Sequence, residues 1–179
     1  MKQVKIAFTA ILILTFVLMI ANLYATPRKQ ELTDARISVK AVKLHKNKIA
    51  RDSILSDQKK KIEDAAVYSA KNNSASYTVA YVKYGAAASF NLRDAATVII
   101  RMFQNNGFVY EMTELKQGDT ESVLLTGKYS LNGTGYGIMA KLFKNENNFW
   151  QVIVIYQDSK RNAQTAQDFI KSAAIKLQI

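Results

Sequence analysis

The chain has 179 residues, 25 Lys and Arg against 14 Asp and Glu, a formal charge of +11, one histidine and no cysteine. Without cysteine there is no disulfide framework, thiol nucleophile or thiolate metal site, and a lone histidine leaves no room for a His-based metal cluster. The basic balance suits anionic lipid headgroups, an acidic protein, an acidic polysaccharide or nucleic acid. Nucleic acid is not expected, because Lys outnumbers Arg and arginine-aromatic interleaving is missing.

The chain opens with Lys2 and Lys5 and then runs uncharged from Ile6 to Pro27. Two readings fit residues 1–25. A signal peptide needs a basic start, an apolar stretch and small residues before the cut, and Ala25 would precede a cut at Thr26. A retained transmembrane anchor needs roughly 20 apolar residues to cross about 30 Å of hydrocarbon. Ile6 to Tyr24 supplies them, with Tyr24 at the interfacial end. Either way the remainder is expected to be exported: inner membrane-anchored, or periplasmic or secreted after cleavage. Arg28, Lys29, Arg36, Lys40 and Lys43 lie on the far side and oppose a simple reading of orientation from charge.

Residues 26–74 read as a basic connector and helix. Ile37, Val39, Val42 and Leu44 are interspersed among the basic residues, which fits a short strand, an irregular arm or a helix continuing from the membrane. His45 sits between Leu44 and Lys46 and reads as solvated. Residues 51–71 are expected to be helical, capped by Asp52 or Ser53, with Ile54, Leu55, Ile62, Ala65, Ala66 and Tyr68 as an apolar stripe. Asn72-Asn73-Ser74 would end that helix.

Residues 75–179 read as an α+β domain. Tyr77 to Tyr84 is rich in strand formers. Asn91 and Asp94 flank the start of an amphipathic helix with Leu92, Ala96, Ile99 and Phe103 on one face, stopped by Asn105-Asn106-Gly107. Strands are expected at Phe108–Leu115, Ser122–Leu131, Thr134–Phe143 and Phe149–Tyr156. Asn132-Gly133 is the signature of a type I′ hairpin turn. Phe149–Tyr156 is apolar on both faces and so should be central or covered on both sides. A closing helix is expected from Asn162 to Leu177. The order predicted is β-α-β-β-β-β-α, an antiparallel sheet of about five strands packed by two helices behind the N-terminal segment. The closing helix, with Ala163, Ala166, Phe169, Ile170 and Ser172 after a long strand, resembles the last element of PsbP/Mog1-like exported domains. The resemblance covers about a quarter of the chain and lacks the opening hairpin of such domains, so no function is carried over.

Catalytic chemistry does not emerge. Gly133-Thr-Gly135-Tyr-Gly137 lies between strands rather than between a strand and a helix, so it reads as turn and packing glycine rather than a phosphate loop. Glu111 and Glu114 fall on opposite faces of one strand, and Asp119 and Glu121 sit near a turn, so no facing carboxylate pair forms. No catalytic residue, metal ligand or cofactor is assigned. The remaining candidates are Tyr77, Tyr81, Trp150 and Tyr156, which read either as packing or as an aromatic contact surface. The expectation is a non-enzymatic, membrane-tethered envelope protein that binds a protein partner or assembles with itself. A released ligand-binding module is the alternative, with a small hydrolase behind it.

Overall fold

The computed structural model describes residues 29–40, 42–47, 62–85, 91–117 and 120–176. The expected anchor or signal at residues 1–25 lies outside them, as do residues 51–61 of the expected second helix. No helix among the described residues is long and apolar enough to cross a membrane.

Among the described residues, ten strands and two α-helices follow one another. They are β1 (Gln30–Leu32), β2 (Ile37–Val39), β3 (His45–Lys46), β4 (Ile62–Lys71), β5 (Ala75–Tyr84), α1 (Leu92–Phe103), β6 (Val109–Gln117), β7 (Thr120–Leu131), β8 (Thr134–Asn145), β9 (Asn148–Gln157), α2 (Lys160–Ser172) and β10 (Ala174–Ile175). The main sheet is seven-stranded and antiparallel, in the order β3-β4-β5-β9-β8-β7-β6. A second, three-stranded sheet has the order β1-β2-β10. The expected five-stranded sheet is therefore too small.

The largest correction is β4. Ile62, Ala65 and Ala66 mimic helical spacing, yet residues 62–71 form a ten-residue strand. Ala66, Tyr68 and Ala70 face one core while Val67 and Ser69 are buried on the other face. With both faces covered, the alternation that marks a half-buried strand is absent from the sequence. The polar cluster at 72–74 is a hairpin turn rather than a helix stop. Asn72 Oδ1 accepts from the backbone N–H groups of Ser74 at 3.0 Å and Ala75 at 2.8 Å, the side-chain turn that Asn favours.

The segment read as a connector is built into the fold. The Gln30 side chain donates to Leu44 O at 2.8 Å and accepts from Leu44 N at 2.7 Å. Leu32, Ala35, Ile37, Val39, Val42 and Leu44 are all buried. Lys46 pairs with Asp34 across the same segment. The closing helix also stops short of Leu177. It ends at Ser172, and Ala174 and Ile175 pair with Ser38 and Ile37 instead. The open edge of β2 offers backbone partners that a longer helix would leave unmet.

Two cores lie on opposite faces of the main sheet. One joins α2 and the small sheet to β4, β5 and β9. The other joins α1 to β7, β8 and β9. Strand β9 sits between β5 and β8, with Trp150, Val152, Val154 and Tyr156 facing α2 and Phe149 and Ile153 facing α1. It is the central strand that its doubly apolar sequence requires. Both helices begin on a side-chain cap: Asn91 accepts from Arg93 N at 2.7 Å and Ser159 from Asn162 N at 3.2 Å. The Asn132-Gly133 turn has both residues at positive φ, 50° and 77°, as a type I′ hairpin demands.

Gln151 is fully buried on β9 and neither polar atom of its side chain has a hydrogen-bond partner among the described residues; Thr78 Oγ1, in the neighbouring row of β5, is in the same state. An unsatisfied buried amide costs about 1–3 kcal/mol. Gln151→Met, similar in shape, is expected to raise the thermal midpoint of the full chain, by about 2–4 °C per kcal/mol for a chain of this size. A lower midpoint would mean that the amide is satisfied in solution.

Candidate functional site

The four aromatic candidates lie together, but not on the surface. Tyr77, Tyr81, Trp150 and Tyr156 share the α2 face of β5 and β9 and are each 4% exposed or less. Tyr81 and Trp150 are directly opposed in register with ring centroids 5.5 Å apart. Tyr77 meets Phe169 of α2 edge-on at 5.1 Å. Trp150 Nε1 donates to Ala35 O at 2.6 Å, and Tyr81 Oη donates to Asn148 Oδ1 at 2.9 Å. Burial pushes the phenol pKa values of Tyr77, Tyr81 and Tyr156 upward. These rings are packing residues that hold α2 and the small sheet against the main sheet. Neither Phe149 nor Trp150 is left open: α1 lies over one and the segment of the small sheet over the other.

What remains open is the far end of the same sheet. Helix α1 packs over β7 and β8, and α2 over β9 and β8; β6 lies at the margin of the α1 layer, which it meets at the half-buried Met112 and at Glu114 beside Arg93. Eight of the nine residues of β6 are exposed, on both of its faces. Val109 is 75% and Leu115 55% exposed, with Tyr110 also on the surface. Strand β6 pairs only with β7, so its outer edge presents a row of backbone N–H and C=O groups without a strand partner among the described residues.

The two faces of this overhang differ. On the α1 face, Tyr110, Met112, Glu114 and Lys116 adjoin the end of the helix. Arg93 Nε lies 3.7 Å from Glu114 Oε1. A cleft of about 280 Å³ opens there between the start of α1 and β6–β7, with Arg93, Glu114, Lys116, Glu121 and Ser122 in its wall. On the α2 face, Val109, Thr113 and Leu115 continue through Leu124 and Thr126 of β7 to Met139 and Lys141 of β8. These last four are half-buried. Lys141 Nζ stands 4.7 Å from the centroid of the Phe143 ring, and burial lowers its pKa. Apolar surface, an ammonium over a ring and an unpaired strand edge thus meet at one end of the sheet. That arrangement can bind an extended chain.

The structure places the other residues singled out in the sequence. Glu111 and Glu114 are both exposed on opposite faces of β6, and Asp119 lies outside the described residues. The glycine run forms a hairpin and a packing site: a Cβ on Gly137 would collide with the Tyr156 ring, which lies across it on the neighbouring strand. His45 is exposed on the two-residue edge strand β3. Among the described residues, no group of three or more His, Cys, Asp or Glu side chains is placed to hold a metal ion.

The β6 surface was not singled out by residue type. Its signal was pattern: Val109, Met112 and Leu115 recur every third position in an extended segment, so neither face is consistently apolar. Such a strand has no buried side and belongs at an edge.

No protein-family model matches the chain, and no curated protein matches its sequence. Among solved structures, the chain is similar to a Pseudomonas aeruginosa protein of unknown function, over 82% of this chain and 92% of that one, at 9% identity and a TM-score of 0.38.

Gly137→Val is expected to destabilise the fold by about 1–3 kcal/mol, because the buried Tyr156 ring must shift to admit the side chain. Gly135→Val, where the nearest atom stands 3.6 Å from the added Cβ, is the control and should change stability less. Equal denaturant midpoints for the two variants would contradict the close approach.

Proposed function

We propose that this chain is a non-enzymatic, membrane-tethered envelope protein that binds a protein partner by adding the partner's extended segment to β6. Residues 6–24 would hold it at the membrane, with the folded part exported. The observation that carries the binding half is the nine-residue edge strand exposed on both faces. Main-chain groups along such an edge supply affinity, and pockets for alternate side chains supply selectivity. Here the alternate positions are the Val109–Leu115 face on one side and the Arg93–Glu114 cleft on the other.

The charges on β6 have a second role in this reading. Glu111, Glu114 and Lys116 discourage indiscriminate edge-to-edge pairing. They leave the strand soluble while a matched partner remains able to pair.

A photo-reactive residue at Val109 or Leu115 of the full chain is expected to cross-link to one protein in the native envelope. The same residue at Arg101, on α1, should not. Replacing both apolar residues, Val109→Lys with Leu115→Lys, should lower the yield of an adduct formed from a probe at Tyr110 by about tenfold or more, the equivalent of 1.4 kcal/mol. Equal adducts from Arg101, or none from β6, would overturn the binding site. Intact mass tests the tether separately: a chain beginning at Thr26 would mean release after cleavage.

A further inference from the structure

We infer that the partner of the β6 edge is the β6 edge of a second copy of this chain, paired antiparallel about a two-fold axis at Met112. This inference rests on the strand-addition reading of β6 and names its occupant.

The argument begins with register. In an antiparallel pair, directly opposed residues share a face and alternate between hydrogen-bonded and non-hydrogen-bonded pairs. A two-fold axis perpendicular to the sheet must therefore pass through a residue position on both copies. Few such positions exist along Val109–Gln117, and they are not equivalent. An axis at Glu111 or Glu114 sets a carboxylate against its own copy, which is destabilising. An axis at Thr113 sets Leu115 against Glu111. An axis at Met112 sets Val109 of one copy against Leu115 of the other, twice, so the two most exposed large apolar side chains among the described residues cover one another. It also sets Tyr110 against Glu114, a phenol donor facing a carboxylate, and Met112 against itself. The segment Val109-Tyr-Glu-Met-Thr-Glu-Leu115 is self-complementary about its middle residue.

Charge points to the same place. A chain of formal charge +11 repels a second copy of itself over most of its surface. Strand β6 carries two acids and one lysine, a net of −1, with Glu121 of β7 paired to Lys116 in register. It is a strip without the excess positive charge of the molecule as a whole, so two copies meeting there do not set basic surface against basic surface.

Size sets the strength. Seven residue pairs and four covered apolar side chains make an interface at the low end of stable protein contacts. The dimer is therefore reversible in dilute solution and favoured where copies are concentrated, as on a membrane. Pairing would extend the main sheet to fourteen strands, twice the observed seven. It would also place both Val109–Leu124–Met139 faces on one side, since a two-fold perpendicular to the sheet preserves its faces.

The chain has no cysteine, so a single introduced thiol reports on one position. Opposed Cα atoms in such a pair lie about 4.5–5.5 Å apart, within disulfide range, while diagonal positions lie at about 7–8 Å and are not. Met112→Cys in the full chain, in its membrane, is expected to give most of the protein as a disulfide dimer on mild oxidation, reversed by reductant. Thr113→Cys should give little. The double variant Val109→Cys with Leu115→Cys, at exposed positions with no folding cost, should give a doubly bridged dimer. A dimer from Thr113→Cys in preference to Met112→Cys would overturn this register. No dimer from Met112→Cys or from the double variant would overturn self-pairing. In that case a photo-adduct from Val109 or Leu115 at a mass other than twice the chain would leave strand addition standing with a different protein, and no adduct would remove both.

Discussion

Strand β9 is apolar on both faces, and the rest of the fold is arranged to cover it. Phe149 and Trp150 are adjacent in sequence and point to opposite cores, so neither core alone can bury the strand. Fully burying a side chain such as Phe149 is worth about 1.5–3 kcal/mol relative to leaving it in water. Two separate layers must therefore be recruited. Helix α1 supplies one. The other is assembled from remote pieces: α2, β10, and the arm from Gln30 to Leu44, which the Trp150–Ala35 hydrogen bond fixes across 115 residues of sequence.

That allocation of cover also explains what is left open. Two helices and a small sheet cover the centre and the β4–β5 side on the α2 face, and β7–β8 on the α1 face. At β6 the sheet reaches the margin of its cover, and eight of the nine residues of that strand are exposed. Strand β6 is thus the consequence of a seven-stranded sheet with cover for fewer strands. Its open edge, the half-buried Leu124–Lys141 face and the Arg93–Glu114 cleft follow from the same shortfall. The aromatic residues that drew attention in the sequence do a different job: they fasten the cover.

Local signals were the legible part. Asn132-Gly133 stated its turn, Asn91 and the Leu92–Phe103 stripe stated their helix, and the run Phe149–Tyr156 stated a strand with two apolar faces. What was not legible depended on pairing between distant segments. Residues 62–71 lack alternation because both of their faces are covered, so their apolar spacing imitated a helix. Ala174 and Ile175 leave helical geometry to meet Ile37 and Ser38, a contact that no window around residue 174 contains. The candidate site was half legible. Its residues carry no chemical motif, but apolar residues placed on both faces of Phe108–Leu115 describe a strand with no consistently apolar side.

The central claim is that, among the described residues, β9 is covered on both faces while the outer edge of β6 has no strand partner, and amide hydrogen exchange tests it most directly. In the full chain, kept dilute, β9 amides are expected to exchange slowest of all. Along β6 the rate should alternate, with amides bonded to β7 protected and outward amides exchanging as if unfolded. Uniform protection along β6 at every dilution would contradict the account, because it would mean that some part of the same chain already occupies the edge.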